Sequence, residues 1–170
     1  MCDWFNEWLK MRKLGLTRVQ MIERTKRREP INVVDFLNKS VSVELQPNQT
    51  LLEWVAANIQ YKPDWNKDDR NKDYWNFPNE TLADKFGDCE DGAILLANMI
   101  LAQKTIPYYD VLVNVYDTGT SYHVFVTLYN TVLDWTNPSL KTIPPNWKLW
   151  YCFNRKHAYT TKENVAKWKK

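Results

Sequence analysis

The stretch KFGDCEDGAILLANMILA, residues 85–102, sets one cysteine among three acids at the head of an apolar run. Gly87 offers a sharp turn, Asp88 is a good N-cap, and the residues from Ala93 onward are apolar with hardly a break. Together they predict a buried helix whose first turn carries Cys89. The unpaired amides and positive end of such a helix favour a negative group there, and a thiol in that position can titrate at roughly 3.5–7.5. Adjacent side chains on a helix point in different directions, so Glu90 and Asp91 are expected to face water while Asp88 turns its oxygens onto the backbone. A lone cysteine at a helix tip is more often structural than reactive. What Cys89 does therefore depends on the rest of the chain.

Downstream, YDVLVNVYD (109–117), SYHVFVTLY (121–129) and TVLDW (131–135) alternate as three strands, joined by turns at DTGT and around Asn130. His123 interrupts the second strand, on the face shared by Phe125, Thr127 and Tyr129. Asp134 interrupts the third. A hairpin through Asn130 brings Asp134 beside His123 if the register allows. Upstream, the first thirty residues read as helical, with Trp4, Phe5, Trp8 and Leu9 at spacings of three and four and Thr17 capping a second helix. NVVDFL (32–37) reads as a short helix or turn, SVSVEL (40–45) as a strand, and Thr50 with Glu53 as the capping box of a helix. The proline-containing segment NPSLKTIPPNWKLWYCF (137–153) reads as an irregular loop returning over the sheet. Helices first and an antiparallel meander after them indicate an α+β domain.

At 170 residues, 44 % of them hydrophobic, the chain suits one globular domain with a real core. No run approaches the roughly 18 apolar residues of a membrane span, and the N-terminus lacks the basic start and apolar stretch of a secretory signal. The three cysteines, Cys2, Cys89 and Cys152, are too few and odd in number for a disulfide framework, which points to a reducing, cytoplasmic setting. The net charge of +3 is divided: residues 1–30 hold eight basic and four acidic groups, residues 155–170 six and one. Basic ends are usually just solvated; the sharper reading is contact with a polyanion. The polar loop 62–80 fails as a calcium loop. Counting from Asp64, Asp69 stands where a glycine is needed and Trp75 where a bidentate glutamate is needed.

Cys89, His123 and Asp134 together form the set a thiol hydrolase needs: nucleophile, general base, and a carboxylate that orients the ring. At these residues the sequence resembles the transglutaminase-like superfamily of papain-type cysteine enzymes, and in particular its bacterial and archaeal cysteine peptidases. The likeness runs from about Thr50 to Pro138, through DYWNFPNETL, GDCEDGAILLANMIL, YHVFV and VLDWTNP. It implies catalytic Cys89, His123 and Asp134, and a helix carrying the cysteine packed on an antiparallel sheet. The activity implied is hydrolysis or transfer of an acyl group from an amide bond of a peptide or protein, with no cofactor and no metal. The chain departs from the family pattern after the histidine, where Val124 and Phe125 replace a small residue and a tryptophan. The expected division is an N-terminal helical extension (1–45), a transglutaminase-like core (46–155) and a basic tail (156–170).

Three other readings compete. The acyl-enzyme could be attacked by an amine instead of water, giving a transamidase. Cys89, His123 and Asp134 could bind a metal, although no CxxC or HxxxH pair accompanies them. The fold could also serve as a non-catalytic binding module, with the tryptophans and basic ends as its contact surface. His157, in the basic tail, is a poor rival for the base. Cys2 and Cys152 are expected to be inert, and the backbone amide of Cys89, with a Trp or Asn from 54–79, is the expected oxyanion donor.

Overall fold

The computed structural model describes residues 33–37, 40–63 and 75–161. The two N-terminal helices expected from the sequence and most of the basic ends lie outside these residues. In chain order the elements are a 3-10 turn at Val33–Leu37, helix α1 (Leu51–Asn58), strand β1 (Gln60–Tyr61), helix α2 (Pro78–Asp84), strand β2 (Phe86–Gly87) and helix α3 (Cys89–Ala102). Five strands follow: β3 (Val111–Asp117), β4 (Tyr122–Leu128), β5 (Thr131–Leu133), β6 (Lys148–Phe153) and β7 (Ala158–Thr160).

The capping box at Thr50 is complete. The Thr50 N–H donates to Glu53 Oε2 at 2.8 Å and the Glu53 N–H donates to Thr50 Oγ1 at 3.2 Å. Lys85 ends α2 in the left-handed region (φ 59°), and the chain then pairs β2 with β1 in parallel before entering α3. Gly87 is not the turn residue the sequence suggested. A Cβ there would lie 2.5 Å from Asp91 Cβ and 2.8 Å from Asp91 Oδ2, so its bareness makes room for that carboxylate.

Strands β3 to β7 form one antiparallel sheet in the order β5-β4-β3-β6-β7. Tyr129 and Asn130 both have positive φ (48° and 66°), which makes the β4–β5 link a two-residue hairpin of the type whose twist suits its strands. Helix α3 packs on β4 and β3, and Ile94, Leu95 and Leu96 share one buried cluster with Val111, Val113, Val115, Val124 and Val126. Trp75 extends this core, stacked near Tyr151 and Phe153. Among the described residues no helix is long and apolar enough to cross a membrane.

Two sequence expectations are corrected. SVSVEL joins no ladder, although Val41 and Val43 still pack on the core, so alternation fixed the facing but supplied no partner strand. KLWYCF is a strand, β6, beside β3, and the tail adds β7 beyond it. Four consecutive residues of β6, Trp150 to Phe153, are buried, so β6 lacks the period-two signal and hides behind Pro144 and Pro145. Because β6 lies across β3 from β4 and β5, the connection 134–147 must pass the end of the sheet where β4 begins. That end carries His123.

Candidate active site

Continuing the β4–β5 register, in which Val126 faces Leu133, puts Asp134 opposite Phe125 and diagonal to His123 on one face. His123 Nε2 and Asp134 Oδ2 are 2.7 Å apart. The other carboxylate oxygen, Oδ1, accepts from the Thr136 N–H (2.9 Å), the Thr136 hydroxyl (2.8 Å) and the Asn137 N–H (3.2 Å). Asp134 is 1 % exposed. Burial works against its ionisation, but the hydrogen bonds and charge of His123 and the hydrogen bonds of Thr136 outweigh it and hold the carboxyl below its ordinary value of 3.8. An ionised carboxylate only accepts, so Nε2 carries a proton and Nδ1 is the ring nitrogen left to exchange one. Trp147 packs edge-to-face on the imidazole at 5.4 Å between ring centroids, and Phe125 lies at 6.1 Å. Sequence reasoning missed Trp147. No local pattern marks it, and it reaches the site only because the 134–147 connection crosses this end of the sheet.

Cys89 opens α3 with Asp88 as N-cap, as the sequence predicts. Its side chain is partly buried, and the thiol donates to Glu90 Oε2 at 3.2 Å. The expectation that Glu90 and Asp91 face water is overturned: Glu90 is 4 % exposed and Asp91 is fully buried. The helix start is covered by the segment before α2, which Asp91 binds through Asn76. Its carboxylate accepts from the Asn76 N–H (2.6 Å), the Asn76 side-chain amide (3.1 Å) and the Asp88 N–H (3.4 Å). Asp88, Glu90 and Asp91 each offer a carboxylate oxygen, all within 4.8 Å of one another.

Trp135, next in sequence to Asp134, joins the two halves. Its indole N–H donates to the Cys89 carbonyl at 3.0 Å. The structure thus brings His123 and Asp134 into direct contact and ties the cysteine to them through the following tryptophan. His157 is exposed on the loop before β7, where its N–H donates to Asn154 Oδ1. Cys152 is buried and burial pushes its thiol up, in line with an inert residue, while Cys2 lies outside the described residues.

A family model described as a transglutaminase-like domain matches residues 32–163. The chain belongs to this transglutaminase-like family. Three solved structures of LapG from Legionella pneumophila share the fold. The EGTA-treated form is 24 % identical with a TM-score of 0.54, covering 87 % of this chain and 81 % of that one. The calcium-bound form has the same identity and TM-score, covering 87 % and 83 %. A further LapG structure is 23 % identical with a TM-score of 0.52, covering 91 % and 88 %. No curated protein matches the sequence. The transglutaminase-like core expected from the sequence, a cysteine-bearing helix on an antiparallel sheet, is therefore borne out.

Proposed function

We propose that this transglutaminase-like protein is a cysteine hydrolase that cleaves a peptide or isopeptide amide bond of a peptide or protein substrate. The observation that carries the reading is the 2.7 Å contact between His123 and Asp134, held beside a helix that opens with Cys89. In the first half-reaction the thiol proton passes to His123 Nδ1 and Cys89 Sγ bonds to the carbonyl carbon. The oxygen of the resulting tetrahedral species takes a hydrogen bond from the Cys89 backbone N–H. Collapse breaks the C–N bond, the imidazolium gives its proton to the leaving amine, and a thioester remains. In the second half-reaction water loses a proton to His123 and attacks the thioester, releasing the acid and restoring the thiol. Asp134 holds the ring in the tautomer both steps use. With an amine in place of water the same residues transfer the acyl group.

The relative described as calcium-bound raises a divalent ion for this chain as well. Asp88, Glu90 and Asp91 are hard oxygen donors crowded together and buried, a set that fits calcium chemically. A bound cation would supply positive charge beside the thiol that Glu90 contacts. Asp88, Glu90 and Asp91 would hold it.

The test uses quenched fluorescent peptides with wild type, Cys89→Ser and His123→Ala, and intact mass to detect the thioester. Loss of turnover in both variants, with an acyl adduct on Cys89 in wild type, supports the reading. Turnover that survives Cys89→Ser would end it. Repeating the melting curve in calcium and in EGTA, with Glu90→Gln alongside, reads out the cation separately. A calcium-dependent rise in melting temperature, lost in Glu90→Gln, is expected; identical curves in calcium and EGTA reject the ion.

A further inference from the structure

Trp135 makes contacts that hydrolysis alone does not explain. It is 4 % exposed and follows Asp134, whose carboxylate is fixed by His123, Thr136 and Asn137. Its backbone therefore starts from an anchored point. Its indole spans to the other half of the site and donates to the carbonyl of Cys89, the first helical residue of α3. It also lies flat against that helix at Gly92. A Cβ at Gly92 would stand 2.2 Å from the indole Cε2, 2.4 Å from Nε1 and 2.6 Å from Cδ2, closer than any side chain permits. Glycine inside a helix costs about 1 kcal/mol relative to alanine, so this one is suited to the indole and not to the helix. Tyr61, half exposed, closes the outer side with its ring 6.0 Å from that of Trp135.

We propose that Trp135, seated on Gly92, is a positioning residue that sets the distance and angle between the nucleophile and the His123–Asp134 pair. The inference rests on the nucleophile reading above and adds the device that holds it in register. The bland alternative is a core tryptophan that has satisfied its N–H, as buried tryptophans usually do. The two differ in consequence. A core residue contributes stability, whereas a positioning residue sets reaction geometry, where a displacement of about 1 Å can cost on the order of 100-fold in rate. The tie also gives the indole contact a direction. His123 and Cys89 are held by adjacent residues of one segment, Asp134 and Trp135, so a shift of the helix tip reaches the imidazole through this link as well as through the packing of α3 on β4.

Three variants separate these outcomes: Trp135→Phe, which keeps a ring and removes the N–H; Gly92→Ala, which pushes the indole off the helix; and the two combined. The readouts are kcat and KM on the quenched peptide, the pH profile of Cys89 alkylation by iodoacetamide, the melting temperature, and the His123 ring proton shifts in NMR with exposed His157 as internal reference. Trp135→Phe is expected to lower kcat and the alkylation rate at neutral pH about tenfold, with KM and the high-pH alkylation plateau unchanged. The His123 shifts move and those of His157 do not. Gly92→Ala is expected to lower melting temperature and kcat together, and the double variant restores neither, because a phenyl ring still fills the place of the five-membered ring that meets the new methyl group. A fall in melting temperature with kcat, the alkylation profile and the His123 shifts all unmoved in Trp135→Phe overturns the proposal. If wild-type Cys89 alkylates like an ordinary thiol, the nucleophile reading fails instead. The His123 shifts then decide the tie by themselves, for it or against it.

Discussion

The two halves of the site handle charge in opposite ways. On the sheet side, one carboxylate, Asp134, meets one imidazole and three further donors, so its charge is fully answered. On the helix side, three carboxylates lie within 4.8 Å of one another, Glu90 meets the thiol, and Asp91 takes the amides of Asn76. The sheet half is preorganised in the sense that its hydrogen bonds need no rearrangement. The helix half gathers acidic groups at one helix end and is tied to the sheet half by Trp135. The difference teaches where sensitivity lies: substitutions on the sheet side should act first on the chemistry, and those on the helix side should weigh more on stability.

The sharpest way to break this contrast is Cys89→Ser set beside His123→Ala. Each should lower kcat by about 10⁴-fold or more in a peptide-cleavage assay, because members of such a unit fail together. A large effect from one and a small effect from the other would dissolve the unit.

Asp134→Asn comes next. The amide can offer its NH₂ to Nε2 and favour the wrong tautomer, so kcat should fall by roughly 10²–10⁴ with a small change in KM. The acid side can be tested on the same pair of proteins. The folded carboxyl titrates below its ordinary 3.8, so its stabilising contribution is full above that value and is lost as pH falls through the folded value. The difference in melting temperature between wild type and Asp134→Asn should shrink below pH 3.8.

Asp91→Ala probes the helix half. It strips acceptors from the buried Asn76 amides and from the Asp88 N–H, and should cost about 3 kcal/mol in urea denaturation. A near-zero cost would mean that relief of carboxylate repulsion offsets the lost hydrogen bonds.

Trp147→Leu is the mildest. Removing the edge-to-face ring from the imidazole should lower kcat by about fivefold, the scale of a single aromatic contact.

Much of the site was legible because its determinants are local. Asp88 and the apolar run defined α3 and the place of Cys89. The alternation around His123 and the hairpin at Asn130 supplied the diagonal that brings Asp134 to it. Other features carried no local mark. Glu90 and Asp91 read as solvated because the sequence does not reveal that the residues before α2 cover the start of α3. Trp147 and β6 lay in a segment that read as an irregular loop, and Trp135 carried no mark of its contact with α3.

By itself, then, the sequence determined the helix tip, the hairpin and the residue types of the site, since capping, turn chemistry and alternation act over a few residues. Only the tertiary structure decided that β6 crosses to the far side of β3. That crossing carries 134–147 past the end of the sheet, seats Trp135 on Gly92 and lays Trp147 on His123. Contacts of this kind follow from strand order and burial, which no short window of sequence encodes.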